Sequence, residues 1–350
     1  MNLFRSEKNP IIKPEDVKPS RPDFKVVSVF NCGVVRFNQE ILLLTRVAET
    51  PVNNNPQKVL TPLLDPKSCK LVIKEFNKAD SSIDFSDPRA IRTPDMHYLT
   101  SISHFRVARS KNGIDFEVEK KPAMFPENEY ERFGIEDPRI TRIGGKYFIC
   151  YSAVSDVTGI SVGLASTTDF IEFTRQGMLF MPDNKDVSIF PDKINGKYYA
   201  LSRPASDAFE IRDMWISEST DLLHWGNHIR LMGTREGHWD NERIGCGAVP
   251  FRIEEGWMEI YHGASIDNRY CLGAVLLDAD NPHKIIARSE KPIIAPEMDY
   301  ELNGFFGNVI FTCGVLYEEG RVRIYYGAAD TCIAYAEIRL SDLLNQLKSS

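Results

Sequence analysis

A short acidic segment offers the clearest candidate for acid–base chemistry. In the run Gly-Ile-Glu-Asp-Pro-Arg, Asp137 lies beside Glu136 and two residues before Arg139. Burial and neighbouring charges shift the pKa of a carboxyl in either direction, as general acid catalysis requires. The competing interpretation is an aspartate in a turn before proline, which is common. Spacing alone favours the turn, but convergence of such polar residues on one central axis brings the two interpretations close to even.

Four cationic side chains form a second chemical signal. Each lies in or beside a short apolar run that resembles a strand: Arg46, Lys185, Arg203 and His262. A buried cation needs a partner, and for any one of the four a nearby carboxylate is the simpler partner. Four cations at comparable strand ends indicate instead an oxyanion ligand such as phosphate.

Aromatic side chains near the same runs could stack on sugar rings. They are Tyr151, Tyr261, Phe305, Phe306 and Tyr326. Core packing is the simpler role for each of them taken alone, because aromatic rings dominate protein cores.

The elements that carry these residues are predicted to be almost entirely β-strands. Short β-branched and aromatic runs alternate with Gly, Asn, Asp and Pro, which is typical of antiparallel all-β structure. Helical periodicity is confined to the tail, residues 340–347, where Ser341 is a candidate cap.

A repeat of about fifty residues organises these strands. Its clearest copy starts at Asp137, with a turn at Gly144-Gly145 and four strand candidates up to Phe173. A partial copy covers residues 32–46, and the other copies begin at Asp87, Ile189, Ala248 and Asn308. Radial packing of such sheets gives a β-propeller. Because the two terminal copies look partial and can complete one sheet together, the pattern predicts five blades in a single domain, residues 1–350, with a short C-terminal helix.

In a propeller, the segments that enter the innermost strands gather around the central axis. The polar residues predicted to converge there are Asn31, Asp87, Arg89, Glu136, Asp137, Arg139, Lys185, Asp186, Asp192, Asn308, Asp299 and Tyr300. A second set follows the first apolar strand of a copy: Arg46, Ser152, Arg203 and His262.

The bulk composition excludes several classes of function. With 350 residues, 43% of them hydrophobic, the chain can bury a large core. A net charge of -7 argues against general binding of nucleic acid or of anionic membranes. No apolar run approaches a membrane span, and the first residues lack the pattern of a secretory signal. Seven scattered cysteines predict free thiols in a reducing, cytoplasmic setting, and the histidines show no metal-ligand spacing.

Several motifs, spread over nearly the whole chain, are similar to those of a known protein family. They occupy residues 30–34, 43–47, 133–139, 185–191, 195–198, 202–204, 256–263, 296–301 and 303–307. The chain resembles glycoside hydrolase family 130, the β-mannoside phosphorylases and their hydrolase relatives, and within it is most similar to the 1,2-β-mannobiose phosphorylases. The resemblance implies a five-bladed β-propeller with a central pocket.

The resemblance also implies roles for individual residues. It makes Asp137 the catalytic acid. It assigns phosphate binding to Arg46, Lys185, Arg203 and His262. Substrate contacts are expected from Asn31, Arg139, Asp299 and the candidate stacking residue Tyr261. Cys32 departs from the family pattern, in which Pro or Ala commonly follows the asparagine.

The implied reaction is the inverting phosphorolysis of β-mannosides to α-mannose 1-phosphate. An inverting hydrolase needs an acid and a base, whereas a phosphorylase needs only the acid, because phosphate is already a nucleophile. Phosphate is therefore expected as co-substrate, without a cofactor or metal, and an oligomer is possible. The alternatives are a β-mannosidase on the same fold and a non-catalytic sugar-binding propeller. The residues leave the β-1,2 or β-1,4 linkage and the preferred chain length open.

Overall fold

The computed structural model describes residues 2–206, 209 and 211–348, and its regular structure is almost entirely β-sheet. In chain order the strands are β1 (Leu3–Arg5), β2 (Phe24–Phe37), β3 (Glu40–Pro51), β4 (Lys58–Asp65), β5 (Lys70–Asn77), β6 (Ala90–Arg92), β7 (His97–Leu99), β8 (Ile102–Ser110), β9 (Glu117–Val118), β10 (Gly134–Ile143), β11 (Lys146–Ser155), β12 (Gly159–Thr167), β13 (Thr174–Phe180), β14 (Asn184–Ile189), β15 (Tyr198–Pro204), β16 (Met214–Ser219), β17 (Trp225–Met232), β18 (Arg243–Cys246), β19 (Phe251–Ile253), β20 (Gly256–Ala264), β21 (Tyr270–Leu277), β22 (Ile285–Arg288), β23 (Ile310–Glu318), β24 (Arg321–Ala328) and β25 (Cys332–Arg339). The helices are α1 (Asp299–Leu302) and α2 (Leu340–Lys348), and single 3-10 turns occupy Pro14–Asp16 and Glu129–Glu131.

Three of the predicted repeat copies form antiparallel sheets of consecutive strands. The copy that starts at Asp137 is β10 to β13, and the copy around Ile189 is β14 to β17. The copy around Ala248 pairs β18 and β19 with β20, followed by β21 and β22. In the β10–β11 turn, Gly144 and Gly145 have φ of 57° and 81°, which glycine adopts at low cost. Local turn chemistry therefore builds these sheets as the sequence predicted.

The predicted copy at Asp87 is wrong as a separate sheet. The residues after Asp87 form only the small hairpin β6–β7, and β8 pairs with β3 instead. Strands β2, β3, β8 and β9 thus pair with one another and combine two segments that were predicted as separate copies. A parallel pair between Gly134 of β10 and Ser103 of β8 joins them to β10–β13 in one eight-stranded sheet. The pairing of β3 with β8 is favourable because their apolar residues share one buried cluster. The intervening residues carry a second hairpin, β4–β5.

The two ends of the chain meet in the last sheet. Its strand order is β1-β25-β24-β23, and Leu3 lies opposite Ile338. The chain termini therefore share one sheet, as predicted. The prediction that the two terminal copies complete that sheet together is wrong, because residues 32–46 pair with β8 and the N-terminal contribution is β1.

Helix α2 confirms the predicted helical tail. It begins at Leu340, so Ser341 lies within its first turn and is not the cap. Leu343 and Leu347, four residues apart on one face, are buried in the same cluster as the last sheet. Helix α1 is a single turn just before β23 that the periodicity did not reveal.

The first strands of neighbouring sheets approach backbone to backbone. A Cβ at Gly33 of β2 would lie 2.7 Å from the carbonyl oxygen of Pro138 in β10. A Cβ at Gly314 of β23 would lie 2.6 Å from the carbonyl oxygen of Cys32 in β2. Glycine is needed at both positions because a side chain would push these strands apart.

Buried thiols fill part of the interior. All seven cysteines are free, and six of them are buried. Burial raises the pKa of Cys32 far above that of an ordinary thiol, which keeps it protonated and unreactive. In the described part of the chain, no helix is long and apolar enough to cross a membrane.

Candidate active site

A cavity of about 370 Å³ opens where the first strands converge. Its volume is typical of a site for a small organic ligand. The polar side chains that line it are Ser28, Asn31, Arg46, Asp87, Arg89, Ser101, Glu136, Asp137, Lys185, Asp186, Arg203, His262, Tyr270 and Asp330. The predicted acid, all four predicted cations and Asn31 therefore line one cavity, although they come from distant parts of the chain.

Asp137 lies at an irregular point of β10. The register with β11 shifts between Glu136 and Arg139, and Asp137 has a φ of 54°. A bulge of this kind re-aims a side chain out of the regular pleat. The carboxylate is nearly buried, and its Oδ1 accepts hydrogen bonds from Asn31 Nδ2 at 2.9 Å and Arg46 Nη1 at 3.1 Å. Asp137 is thus held in a fixed orientation at the cavity wall.

Arg46 links the two adjacent carboxylates. Its Nη2 donates to Glu136 Oε1 at 2.6 Å while Nη1 donates to Asp137. Its guanidinium also lies 4.4 Å from the centre of the Phe30 ring, a cation–π contact. Burial raises the pKa of Glu136, and the charge of Arg46 opposes that shift. Arg46 is therefore the cation that lies beside the candidate acid.

The other three cations surround Asp186. Arg203 Nε donates to Asp186 Oδ2 at 2.7 Å, and His262 Nε2 lies 3.4 Å from the same oxygen. Lys185 lies opposite Arg203 in the β14–β15 register. Burial would raise the pKa of Asp186, but the cations outweigh it and hold that pKa well below its usual range. A carboxylate partner, the simpler alternative for a single cation, is thus present for both Arg46 and Arg203.

The charge state of this cluster suits an anion. Burial lowers the pKa of His262 to about 3 against the opposing charge of Asp186, so its imidazole is neutral at neutral pH. Neither ring nitrogen of His262 has a hydrogen-bond partner among the residues that the structure describes. Burial, together with repulsion from Arg203, also lowers the pKa of Lys185. A bound oxyanion would accept a hydrogen bond from His262 and would offset the repulsion between the charges of Lys185 and Arg203.

Three predicted substrate contacts are not brought to the cavity. Among the described residues that line it, Arg139, Asp299 and Tyr261 are absent. Arg139 is buried behind the wall, where it donates to the carbonyl oxygens of Cys246 and Gly247 and pairs with Asp186 at 3.1 Å.

The other two are engaged elsewhere. Tyr261 donates its hydroxyl to Asp240 and packs against Trp239. Asp299 begins helix α1 and accepts a hydrogen bond from Asn303. The position of a residue in the repeat predicts that it lies near the axis. It does not predict whether the side chain lines the cavity or packs behind the residues that do.

The aromatic candidates divide in the same way. Phe305 and Phe306 line the cavity, and Phe306 packs against the guanidinium of Arg89 at 4.3 Å. Tyr151 and Tyr326 instead donate hydrogen bonds to the buried Glu131 and Glu301. Core packing, the simpler role, thus applies to these two tyrosines.

Among the charged side chains that line the cavity in the described part of the chain, only Asp330 was not predicted from the sequence. Asp330 follows β24, where Ala329 and Asp330 both have φ of 48°. Burial raises the pKa of Asp330 to about 6, although Arg46 opposes the shift. Gly327, Ala328 and Ala329 separate Asp330 from the apolar run that ends at Tyr326, so the criterion that selected Arg46 and His262, a polar residue directly after the apolar strand of a copy, does not reach it.

Comparisons with known proteins agree with this arrangement. A family model described as β-1,4-mannooligosaccharide phosphorylase, of glycoside hydrolase family 130, matches residues 69–349. The β-1,2-mannobiose phosphorylase of Listeria innocua is 47% identical over 99% of this chain and 99% of its own. The β-1,4-mannooligosaccharide phosphorylase of Ruminococcus albus is 33% identical over 69% of this chain and 75% of its own.

A solved structure extends the agreement to three dimensions. The Listeria innocua β-1,2-mannobiose phosphorylase, in complex with β-1,2-mannobiose, superposes with a TM-score of 0.97 over 100% of both chains. The family model, the sequence identity and the fold all indicate the same family. They confirm the resemblance that the sequence motifs suggested. The chain belongs to glycoside hydrolase family 130.

Proposed function

We propose that this protein is a glycoside phosphorylase that cleaves β-1,2-mannobiose, or short β-1,2-mannooligosaccharides, with inorganic phosphate. The observation that carries the proposal is that Asp137 and four basic side chains line one cavity. An acid beside an anion site is what an inverting phosphorolysis needs, since phosphate replaces the activated water of a hydrolase. The products are α-mannose 1-phosphate and mannose, or a shortened oligosaccharide. We place the enzyme in the cytoplasm, where a sugar phosphate is retained.

Each group has a defined part in the reaction. A phosphate oxygen forms the new bond to the anomeric carbon as the bond from that carbon to the glycosidic oxygen breaks. Asp137 supplies the proton that ends on the leaving oxygen, directly or through a sugar hydroxyl. Asn31 and Arg46 fix the carboxyl group by their hydrogen bonds to Oδ1. This fixed geometry lowers the barrier mainly by orientation.

The phosphate site combines Lys185, Arg203 and His262 with Arg46. Lys185 and Arg203 supply positive charge, and the neutral His262 supplies a hydrogen-bond donor. Asp186 balances part of that charge while the site is empty of anion, through its contact with Arg203. Charge-assisted hydrogen bonds from such a set offset the repulsion between phosphate and the electron-rich sugar.

Substrate contacts on the sugar side involve acidic and aromatic groups. Asp330 and Glu136 have carboxylate oxygens at the cavity wall that can accept hydrogen bonds from sugar hydroxyls. Phe305 and Phe306 offer apolar surface for a pyranose ring.

The β-1,2 linkage is favoured by the relatives. The β-1,2-mannobiose phosphorylase matches this chain from end to end at 47% identity, whereas the β-1,4 enzyme matches 69% of it at 33%. The family model carries the β-1,4 description but covers residues 69–349 only. The first sixty-eight residues, which include Asn31 and Arg46, thus lie outside that match.

We further propose that the sheets form the five blades of a single propeller domain. Strands of neighbouring sheets contact one another in a closed sequence: β2 with β10, β10 with β14 and β14 with β18, then β20, which pairs with β18, with β23, and β23 with β2. A ring of this kind places the first strands around one axis, where the cavity opens.

The phosphate requirement tests the proposal. Incubation with β-1,2-mannobiose should release mannose 1-phosphate in phosphate buffer and almost no mannose without phosphate. Lys185→Ala should raise the KM for phosphate much more than that for mannobiose, and the surface variant Lys111→Ala should change neither. Equal cleavage without phosphate, with no sugar phosphate formed, would establish the β-mannosidase alternative instead.

A further inference from the structure

Glu259 is a buried carboxyl group that the proposed reaction leaves unused. It lies in the middle of β20 and has no exposed surface. Its Oε1 accepts a hydrogen bond from the backbone N–H of Gly247 at 2.9 Å, and its Oε2 has no hydrogen-bond partner among the described residues. Burial raises the pKa of Glu259 well above its ordinary value, against that hydrogen bond and the charge of Arg139. The side chain is therefore a neutral acid at neutral pH.

The backbone N–H that bonds this carboxyl group belongs to residues 245–247, the Gly-Cys-Gly segment at the end of β18. A Cβ at Gly245 would lie 2.7 Å from Asp186 Oδ2 and 2.6 Å from His262 Cε1. The thiol of Cys246 donates to the backbone oxygen of Asp186. The segment therefore packs directly against Asp186 and His262.

Arg139 joins the same segment to Asp186 and to Asp137. Its Nε donates to the carbonyl oxygen of Gly247 at 2.8 Å, and its Nη2 donates to that of Cys246 at 3.0 Å. Nη2 also donates to Asp186 Oδ1 at 3.1 Å, and Nη1 donates to the backbone oxygen of Asp137 at 3.0 Å. Because Arg139 is buried, these acceptors determine where its guanidinium lies. A displacement of Gly247 would therefore move Arg139, and with it Asp186.

The hydrogen bond to Glu259 holds Gly247 in a crowded place. A Cβ at Gly247 would lie 2.2 Å from the carbonyl oxygen of Ile260 and 3.0 Å from Thr312 Cγ2, so its backbone packs between β20 and β23. Gly247 is itself buried. Without the acceptor on Glu259, its N–H would be buried without a partner, which favours a shift of the segment.

The neutral state of Glu259 suits a neighbour of an anion site. An ionised carboxyl group here would compete with Asp186 for Arg139, and it would repel a bound phosphate in surroundings of low dielectric constant. A neutral carboxyl group accepts the N–H of Gly247 without adding negative charge. The protein therefore gains the acceptor and keeps the positive potential that phosphate requires.

We propose that Glu259 is a positioning residue of the phosphate site, which acts through Gly247 and Arg139. By holding this part of the backbone, it fixes Asp186 and the cations that Asp186 contacts. The proposal rests on the phosphorylase function proposed above. It assigns a role in phosphate affinity to a side chain that does not line the cavity.

Two substitutions separate the acceptor oxygen of Glu259 from its volume. Glu259→Gln keeps a neutral side chain with an acceptor oxygen, and both KM values should stay within about twofold of wild type. Glu259→Met removes the acceptor, and it should raise the KM for phosphate about fivefold or more, the effect of one lost hydrogen bond, with the KM for β-1,2-mannobiose nearly unchanged. Met258→Leu, a buried neighbour on the opposite face of β20, is the control and should change neither KM. Initial rates at varied phosphate and at varied mannobiose measure both constants.

Glu259→Asp decides the question if Glu259→Met does not fold. Its shorter side chain withdraws the acceptor from Gly247, so it should show the same selective rise in the KM for phosphate. The proposal is overturned if either variant folds and keeps the wild-type KM for phosphate, if both KM values rise equally, or if Glu259→Gln causes the same rise. It is also overturned if only Glu259→Gln folds, because the role is then structural. A wild type that cleaves mannobiose equally well without phosphate overturns the proposed function itself.

Discussion

Asn31, Asp137 and Asp186 occupy comparable irregular points in three first strands. Their φ values are 44°, 54° and 55°, and each lies at a register shift in β2, β10 or β14. The three strands therefore share a β-bulge with a positive φ, which directs a polar side chain toward the centre of the molecule. The side chain then decides the role, since Asp137 is the proposed acid, Asn31 donates a hydrogen bond to it and Asp186 pairs with Arg203.

The role of Asp137 predicts a large kinetic effect with little structural change. Asp137→Asn keeps the size of the side chain but cannot donate a proton as an acid. Turnover of mannobiose should fall by roughly 10²–10⁴-fold, the usual contribution of general acid catalysis. Steady-state kinetics and circular dichroism check this prediction. Activity within about tenfold of wild type would rule out Asp137 as the acid.

Asp330 predicts a pH-dependent stability. Burial raises its pKa from the ordinary value of 3.8 to about 6, so the native state holds a proton that the unfolded state releases at lower pH. As pH rises from 5 to 7, ionisation of Asp330 should reduce the free energy of unfolding by about 1.4 kcal/mol, the equivalent of one pKa unit.

The variant Asp330→Asn removes this titration. The difference in the free energy of unfolding between variant and wild type should therefore shift in favour of the variant by that amount between pH 5 and pH 7. Urea denaturation at the two pH values measures it. A difference that does not change with pH would mean that the pKa of Asp330 is not raised in the folded protein.

At the scale of elements, the close contact between first strands determines the shape of the site. Gly33 brings β2 against β10, and these two strands carry Asn31 and Asp137, which are hydrogen-bonded to each other. The distance between the strands thus sets the hydrogen-bond geometry of Asp137, the proposed acid. The bulged residues of both strands depend on this contact.

Substitution of Gly33 should therefore destabilise the fold. In Gly33→Ala, the new methyl group would lie 2.7 Å from the carbonyl oxygen of Pro138. Overpacking of this kind costs about 1–3 kcal/mol. Gly226→Ala is the matched control, because its Cβ meets no described atom within 4 Å and its position lies in strand β17. Urea denaturation should show a lower free energy of unfolding for Gly33→Ala but not for Gly226→Ala. Similar values for the two variants would show that β2 and β10 do not approach as closely as described.

At the scale of the whole molecule, the first strand of the chain joins the sheet that contains the last strand. β1 pairs with β25, and Arg5 Nε donates to Glu301 Oε1 at 2.8 Å. The side chain of Glu301 is fully buried and also accepts from the Tyr326 hydroxyl at 2.7 Å. This contact ties the N-terminus to the sheet that contains the C-terminal strands.

Loss of Arg5 should be costly because it leaves a buried carboxylate without its cation. Arg5→Ala should lower the free energy of unfolding by about 3 kcal/mol. Arg36→Ala removes a more exposed pair, with Glu318, and should cost at most about 1 kcal/mol. Thermal and urea denaturation of both variants measure the difference. Equal losses of unfolding free energy in the two variants would show that the ion pair between Arg5 and Glu301 does not stabilise the attachment of β1 to the last sheet.

Local patterns in the sequence were sufficient for much of this description. Turn residues such as Gly144 and Gly145, together with short apolar runs, predicted the sheets formed by β10 to β17, because hairpins are specified by neighbouring residues. The same repeats predicted that Asp137, Arg46 and Lys185 converge, and motifs predicted the family. These features depend on residues close together in the chain or on regular repetition.

Tertiary structure alone decided the rest. The pairing of β3 with β8 across about fifty intervening residues depends on which apolar faces are buried together, and local periodicity does not encode it. Arg139 and Tyr261 lie behind the cavity wall rather than in it, because their polar groups are taken up by buried neighbours. The pKa of Asp330 is likewise set by burial, which depends on how the sheets pack around it rather than on its neighbours in sequence.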